Sequence, residues 1–171
     1  MATVVLNGAA DPAIVARAII DANLYLTLGT ADREGRPWVS PVFYACADYT
    51  EFYWISAPEA MHSRNIAVRP RVSIVVFDSQ VPAGTGQGVY MSAVVDEPTG
   101  AELDRGLEIY PGAVERGGRR VTPEQVLPPA PYRFYRATVS EHSVICPDPG
   151  RPCPVHATSG EHRTLVHLRS S

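Results

Sequence analysis

One short polar stretch of the sequence gathers side chains that bind anions. His62, Ser63, Arg64 and Asn65 are consecutive, and Pro70 follows them shortly before an apolar run. An arginine presents two donors to a pair of phosphate oxygens, a serine hydroxyl adds a neutral donor, and a nearby anion favours a protonated imidazole. The stretch indicates a phosphate site, and a solvated helix face is the alternative interpretation.

The cysteines follow no pattern that is typical of a metal or redox site. Cys46, Cys146 and Cys153 include no CxxC pair. Cys146 and Cys153 are close enough in sequence for a cross-link. Because the first residues of the chain have no signal-peptide pattern, we nevertheless expect both thiols to be reduced.

The histidines outside the polar stretch are irregularly spaced and form no HxxxH or HExxH motif, which favours loop positions over metal ligands. They are His142, His156, His162 and His167. The fifteen cationic residues include no lysine, so a lysine nucleophile is excluded. We therefore expect no metal site, and we identify no catalytic residue.

The composition is that of a chain that can fold around one hydrophobic core. Of 171 residues, 45% are apolar and 19% are charged, and the net charge is -3. A slightly acidic chain argues against nucleic acid or a membrane surface as a general partner. No apolar run is long enough to span a bilayer, so we expect a cytoplasmic location.

Hydrophobic periodicity predicts short strands with a few flanking helices. Asp11 and Pro12 begin a helix that ends near residue 23, and the alternation of Leu24, Leu26 and Leu28 predicts the first strand. Further strands are predicted at 38–44, 51–56, 71–78, 89–97, 132–146 and 164–168, and helices at 58–69, at 99–114 and for one turn after Thr122.

The order of these elements favours a mainly β (α+β) fold. We expect one domain over 1–171, in which six or seven antiparallel strands form a barrel with a few flanking helices. Its core would comprise 12–97 and 132–146, with a helical and irregular insertion at 99–131 and an irregular tail at 147–171. The strand at 71–78 is mostly apolar, so we expect it to be buried on both faces.

Several segments occur in an order that is typical of a known family. A GR-P turn, a strand ending in FYWISA, the polar stretch, PRVSIVVFD and GVYMSAVVDEP follow one another. Together they resemble the pyridoxamine 5'-phosphate oxidase-like family, the FMN-binding split β-barrels. The resemblance covers 12–97 well and 132–146 loosely. It implies a six- to seven-stranded antiparallel split β-barrel and a homodimer with two cofactor sites at the interface.

The resemblance also implies which strands would contact the flavin. The strand along the ring would contribute Val39, Ser40, Pro41 and Val42, and a proline is tolerated where a ligand takes the place of a neighbouring strand. The strand along the ribityl chain would contribute Trp54, Ile55 and Ser56. Core packing is the alternative for Trp38 and Trp54, and we expect it for at least one of them.

The same resemblance assigns the phosphate to the polar stretch. His62, Ser63 and Arg64 would hold it, although the family often has lysine or arginine where this chain has His62. Many members place a glutamine at the start of the strand that here begins at Val89. That position aligns with Gly88 in this chain, and Gln87, one residue earlier, is the candidate.

The resemblance implies an FMN-dependent oxidoreductase that acts on a small-molecule substrate. An F420 (deazaflavin)-dependent reductase is the alternative, since Arg116, Arg119 and Arg120 could hold the anionic tail of that cofactor or could simply be solvated. A non-catalytic flavin- or haem-binding dimer and a dimer whose site has decayed also remain open.

Overall fold

The fold consists of one curled sheet with helices on its outside and at one end. The structure is a computed structural model, and it describes residues 11–146, 153 and 156–168. The helices are α1 (Pro12–Ala22), α2 (Met61–Val68), α3 (Gly100–Ile109) and α4 (Pro123–Val126), with a short 3-10 turn at Val114–Arg116. The strands are β1 (Tyr25–Ala31), β2 (Pro37–Phe43), β3 (Ala45–Ala47), β4 (Glu51–Ser56), β5 (Arg71–Phe77), β6 (Gly88–Asp96), β7 (Arg133–Ile145) and β8 (Arg163–Val166).

All the paired strands are antiparallel, and their order closes the sheet on itself. The order is β2-β1-β5-β6-β7-β4-β3, and β8 pairs with β7 beside this path. The two ends of the path, β2 and β3, are consecutive in the chain and are separated only by Tyr44. One bent segment therefore pairs with β1 through its first half and with β4 through its second half. The predicted mainly β, antiparallel split barrel is confirmed.

Tyr44, at the bend of this segment, is fully buried and is held from several directions. Its hydroxyl donates to the backbone oxygen of Ile20 at 2.6 Å, and its own N–H donates to the oxygen of Leu24 at 3.2 Å. Arg116 donates to the oxygens of both Tyr44 and Asn23 and lies over the Tyr44 ring. These bonds tie the end of α1 and the segment after α3 to the corner of the barrel.

The barrel interior is filled by alternate residues of each strand. On β1, Leu26 and Leu28 are buried as predicted. The expectation that β5 is buried on both faces was wrong, because Ile74 is inside while Ser73 and Phe77 are exposed on the outer face. In an antiparallel barrel each strand has one face inside and one outside, and a mostly apolar run does not reveal this.

A second hydrophobic cluster joins the helices at 99–131 to the outside of β4 and β7. It contains Leu103 and Leu107 of α3 and Tyr53 and Phe134 of the two strands. Gly106 is required at the contact, since a Cβ there would lie 2.6 Å from the Phe134 ring. The helix predicted at 99–114 ends at Ile109, and the predicted turn after Thr122 is present as α4.

Other element boundaries differ by a few residues from the predictions. The helix predicted from residue 58 begins at Met61, because a turn in which Ala60 donates to Ala57 precedes it. The predicted strand at 164–168 is present as β8. Much of the irregular tail expected at 147–171 lies outside the described residues, namely 147–152, 154–155 and 169–171. No described helix combines the length and apolar character that a bilayer crossing requires.

Tyr44→Phe should destabilise the protein while leaving the fold intact. The substitution removes the hydroxyl that donates to Ile20 and leaves a buried carbonyl without that bond, at a cost of about 1–3 kcal/mol. Urea unfolding measures the difference in free energy. Tyr132→Phe is the matched control, because Tyr132 is exposed and its substitution should change stability little. Equal stability of the two variants would contradict the role of Tyr44.

Candidate functional site

A shallow groove crosses the outer face of the sheet where four neighbouring strands carry small side chains. Gly29 of β1 pairs with Ser73 of β5, which pairs with Ser92 of β6. At the bulge between β6 and β7, the hydroxyl of Ser140 donates to the oxygen of Ser92 at 3.2 Å. Because large side chains are absent from this row, the groove has a volume of about 490 Å³.

The rim of the groove combines apolar side chains with a cation. Trp38 and Val39 of β2 lie on one side and Val94 of β6 on the other, and Val39 is 62% exposed. Arg71, at the start of β5, is the cation among the described lining residues. Sequence reasoning missed Arg71, although it shares a face with Ser73 by the two-residue period of the strand.

A chain of hydrogen bonds lies behind this rim and connects three elements. The indole N–H of Trp38 donates to Ser40 Oγ at 2.9 Å. His62 on α2 contacts the same Ser40 Oγ through Nδ1 at 3.1 Å and Ser56 Oγ on β4 through Nε2 at 2.8 Å. The structure therefore brings together three of the predicted site residues, Ser40, Ser56 and His62.

The His62 imidazole is neutral in this arrangement. Burial lowers the pKa of His62 below its usual value of 6.5. Ser40 accepts from Trp38 and can donate its own proton to Nδ1, which leaves Nε2–H to donate to Ser56. With both ring nitrogens occupied, His62 joins β2 to β4 and would have to release a serine before it could contact an anion.

The two residues after His62 face different environments. Ser63 is buried, and its hydroxyl has no hydrogen-bond partner of good geometry among the described residues. Burial raises the pKa of Tyr135, and the nearby Ser63 hydroxyl offsets part of that rise. Arg64 is exposed and lies 2.8 Å from Glu59, which is also exposed. An exposed pair of this kind is weak, so Arg64 can turn to another anion at little cost.

Asn65, the last residue of the predicted anion-binding stretch, connects α2 to the neighbouring strands. It is buried, and its side-chain amide donates to the Thr30 hydroxyl at 3.0 Å. Thr30 in turn donates to the backbone oxygen of Trp38 at 3.3 Å. Asn65 therefore holds α2 against β1 and the start of β2, next to the rim of the groove.

The other predicted site residues lie in different surroundings. Val39 and Pro41 are exposed on the outer face, whereas Val42 is buried in the barrel. The Trp54 ring is fully buried against Tyr135, with ring centroids 5.6 Å apart, which confirms the expected core role for one tryptophan.

Ile55 and Gln87 are the remaining predicted residues. Ile55 is partly buried and packs on the cluster under α3. Gln87 precedes β6 where Gly88 pairs with Phe77, at the end of the hairpin away from Arg71. Gln87 is not among the described residues that line the groove.

The arginines after α3 do not line the groove. Arg116 is part of the Tyr44 corner, so it is neither solvated nor free to contact a ligand. Arg119 and Arg120 are exposed. None of the described residues that line the groove comes from 99–131.

Stability should fall as the pH drops below about 6.5, partly because of His62. Burial lowers the pKa of His62 and of His142 in the folded protein, so the unfolded chain binds protons that the folded chain does not. The contribution of these two histidines to stability is therefore fully present above the unfolded pKa of 6.5, and it is lost as the pH falls from there through the lower folded pKa. Urea unfolding of His62→Gln between about pH 5 and about pH 8 should have a shallower acid dependence.

The exposed His167 provides the control for this experiment. His167→Gln should retain the acid dependence of the unsubstituted protein. An identical acid dependence in all three proteins would disprove a neutral, buried His62.

Comparisons with solved structures find the same fold in proteins with different stated ligands. A haem-binding protein from Mycobacterium smegmatis aligns with a TM-score of 0.65 and 20% identity over 92% of this chain and 59% of that chain. A FAD-binding protein from Mesorhizobium loti aligns with a TM-score of 0.54 and 21% identity over 77% and 91%. An F420 reductase aligns with a TM-score of 0.50 and 18% identity over 74% and 94%. At these identities the likeness establishes the fold alone.

Comparison of the sequence with family models is more specific. No curated protein matches the chain. The chain spans about 59% of the length of the mycobacterial haem-binding protein. The family model described as pyridoxamine 5'-phosphate oxidase matches residues 14–146, which is most of the chain and includes the polar stretch and all the strands that form the groove. The chain therefore belongs to the pyridoxamine 5'-phosphate oxidase-like family of split barrels.

Proposed function

We propose that the protein is an FMN-binding flavoprotein, an oxidoreductase of the pyridoxamine 5'-phosphate oxidase-related type that acts on a small-molecule substrate. It would work as a homodimer whose cofactor sites lie at the interface. The observation that carries the proposal is the small-residue groove on the outer face of the sheet, in a chain that belongs to this family.

The groove fits a planar ring. Its floor crosses β1, β5 and β6 without a side chain larger than serine, and Ser140 of β7 borders it, so a flat heterocycle can lie against it. In the described part of the chain, β2 pairs with β1 and with no strand on its other edge. That edge faces away from β1 and from the floor, so its backbone donors and acceptors can bind polar groups at the periphery of a ligand, and Pro41 removes only one donor.

The outer face of the sheet is suited to cover by a second copy of the chain. Beside the charged Arg71 and Glu141, its exposed large side chains include four apolar ones, Tyr25, Val39, Phe77 and Val94. An apolar surface of this kind is typical of a protein interface. A partner that packed on it would close the groove and exclude water from a bound ring.

The chemistry would come from the cofactor and the positioning from this chain. A bound flavin supplies transfer of an electron pair between donor and acceptor, which requires no acid or base of the protein in principle. Trp38, Ser40 and His62 would keep β2 in place beside the ring. Arg64, in its weak pair with Glu59, would bind the phosphate, and Arg71 would supply the cation at the groove itself.

Two alternatives remain because proteins of the same fold are described as an F420 reductase and as haem-binding. F420 would use the same groove. Haem requires an axial ligand, and a second groove of about 600 Å³ beside β7 and β8 is lined by the exposed His167. The visible spectrum after addition of FMN, F420 or haem distinguishes the three cofactors.

FMN should bind the purified protein, and Arg64→Ala should weaken that binding by about 1.5–3 kcal/mol because a charge-assisted contact with phosphate is lost. Titration followed by flavin fluorescence measures the dissociation constant, which should rise roughly 10- to 100-fold. Arg105→Ala is the matched control, since Arg105 is a half-exposed arginine paired with a carboxylate elsewhere on the barrel. Unchanged affinity in Arg64→Ala would remove Arg64 from the site, and no FMN binding by the parent protein would refute the proposal.

Val39→Glu should convert the proposed dimer into a monomer, because it introduces a charge among the exposed apolar side chains of the outer face, beside the groove. Light scattering after size-exclusion chromatography measures the mass. Leu127→Glu is the control, because Leu127 is an exposed apolar residue that directly follows α4 and is not on the sheet. A monomeric parent protein, or a dimer that persists in Val39→Glu, would count against an interface at this face.

A further inference from the structure

Four sulfur and nitrogen side chains meet at the end of the β7–β8 pair. The donor atoms of Cys146, Cys153, His156 and His162 all lie within 4.8 Å of one another. The sulfurs of Cys146 and Cys153 are 3.6 Å apart, and Cys153 Sγ is 3.3 Å from His156 Nδ1. The irregular spacing of these residues in the sequence favoured loop positions, but the fold brings them together.

Backbone hydrogen bonds hold the four residues in this arrangement. Cys146 and His162 directly follow and precede the paired strand ends, and the N–H of Cys146 donates to the oxygen of His162 at 2.8 Å. Cys153 accepts at its backbone oxygen from Ala157 at 2.7 Å and donates to the oxygen of Thr158 at 2.8 Å, which fixes Cys153 relative to the residues that follow His156. Backbone bonds therefore keep the four residues near one another.

Two of the distances are close to those of a tetrahedral zinc site, and all four donor atoms lie within 4.8 Å of one another. Zinc bonds of about 2.3 Å to sulfur and about 2.0–2.1 Å to nitrogen give a tetrahedron with S–S edges of about 3.8 Å and S–N edges of about 3.5 Å. The observed 3.6 Å and 3.3 Å are close to these edges. A disulfide would require the two sulfurs at about 2.05 Å, so Cys146 and Cys153 are not cross-linked to each other in this structure.

The histidine contacts support the same interpretation. His162 Nδ1 lies 2.8 Å from the backbone oxygen of Gly160, to which it can donate. A donor bond from one ring nitrogen leaves the basic lone pair on the other, and this is how metal-binding histidines are commonly oriented. His156 directs Nδ1 at the cysteine sulfur, so its Nδ1 would be the ligand atom.

We propose that Cys146, Cys153, His156 and His162 bind one Zn²⁺ ion per chain. Thiolate and imidazole ligands select zinc over magnesium or calcium, and two thiolates neutralise the charge of the ion. Four protein ligands leave no coordination position open, so the site is structural. The ion would cross-link the end of β7 to the residues just before β8 and so anchor β8. Val166 of β8 and the nearby Leu168 are buried in the barrel core.

Metal analysis of the full chain, purified without chelator and under reducing conditions, tests the proposal. We expect one zinc per chain in the parent protein and at least about ten-fold less in Cys146→Ser, Cys153→Ser and His156→Gln. Cys46→Ser and His167→Gln are the matched controls and should retain the zinc. Cys46 lies in β3, away from the cluster at the end of the β7–β8 pair, and burial raises the pKa of its thiol to about 12.

Cobalt provides a second measurement that does not depend on the folding of a variant. Co²⁺ added to the metal-depleted parent protein should produce the intense visible bands of a tetrahedral complex and a thiolate charge-transfer band. Chelation should lower the melting temperature of the parent protein but not that of Cys146→Ser, because ligand binding to the folded state raises stability.

Two results would overturn the proposal. The first is a reduced parent protein that binds neither zinc nor cobalt. The second is zinc that persists in the Cys146→Ser and His156→Gln variants. Neither result depends on whether the protein binds a flavin, since the groove shares none of its described lining residues with this cluster.

Discussion

The bend at Tyr44 is the constraint on which the rest of the structure depends. It lets one segment of chain pair with β1 and then with β4, two strands that the hydrogen-bonded path of the sheet separates by β5, β6 and β7. Without that closure Ser40 and Ser56 would lie on distant edges of an open sheet. With it, His62 can contact both serines and bind α2 to the barrel. The edge of β2 beside the groove is held in place by the same contacts.

Arginines serve two distinct purposes in this protein, and their partners distinguish them. Arg116 is built into the Tyr44 corner, and Arg136 donates twice to Asp96, which raises the Arg136 pKa. Such charge-assisted, multiply bonded groups are costly to move. Arg64 and Arg71 are exposed, and the one close pair formed by Arg64 is with an exposed glutamate. Anion binding would therefore disturb little of the fold at Arg64 or Arg71, and much of it at Arg116.

The strand β7 links the groove to the cysteine–histidine cluster. Its bulge contributes Ser140 to the groove, and the same strand ends next to Cys146. Between these two points β7 pairs with β8, so an ion that anchored β8 would also limit fraying of the strand that borders the groove. The two proposed sites are separate in chemistry, but they share this one structural element.

The sequence by itself determined the local elements. The alternation of Leu26 and Leu28, the Asp11 cap and the turn at Thr122 depend on near neighbours in the chain, and each appears where it was predicted. The polar stretch was likewise visible, although its division into a neutral bridge at His62 and an exposed Arg64 was not. Only the tertiary structure decided the closure at Tyr44, the one-sided burial of β5, the alignment of Gly29 with Ser73 and Ser92, and the meeting of Cys146 with His162. Each of these requires strand register or contacts between distant segments, and a single sequence has no local pattern that specifies them.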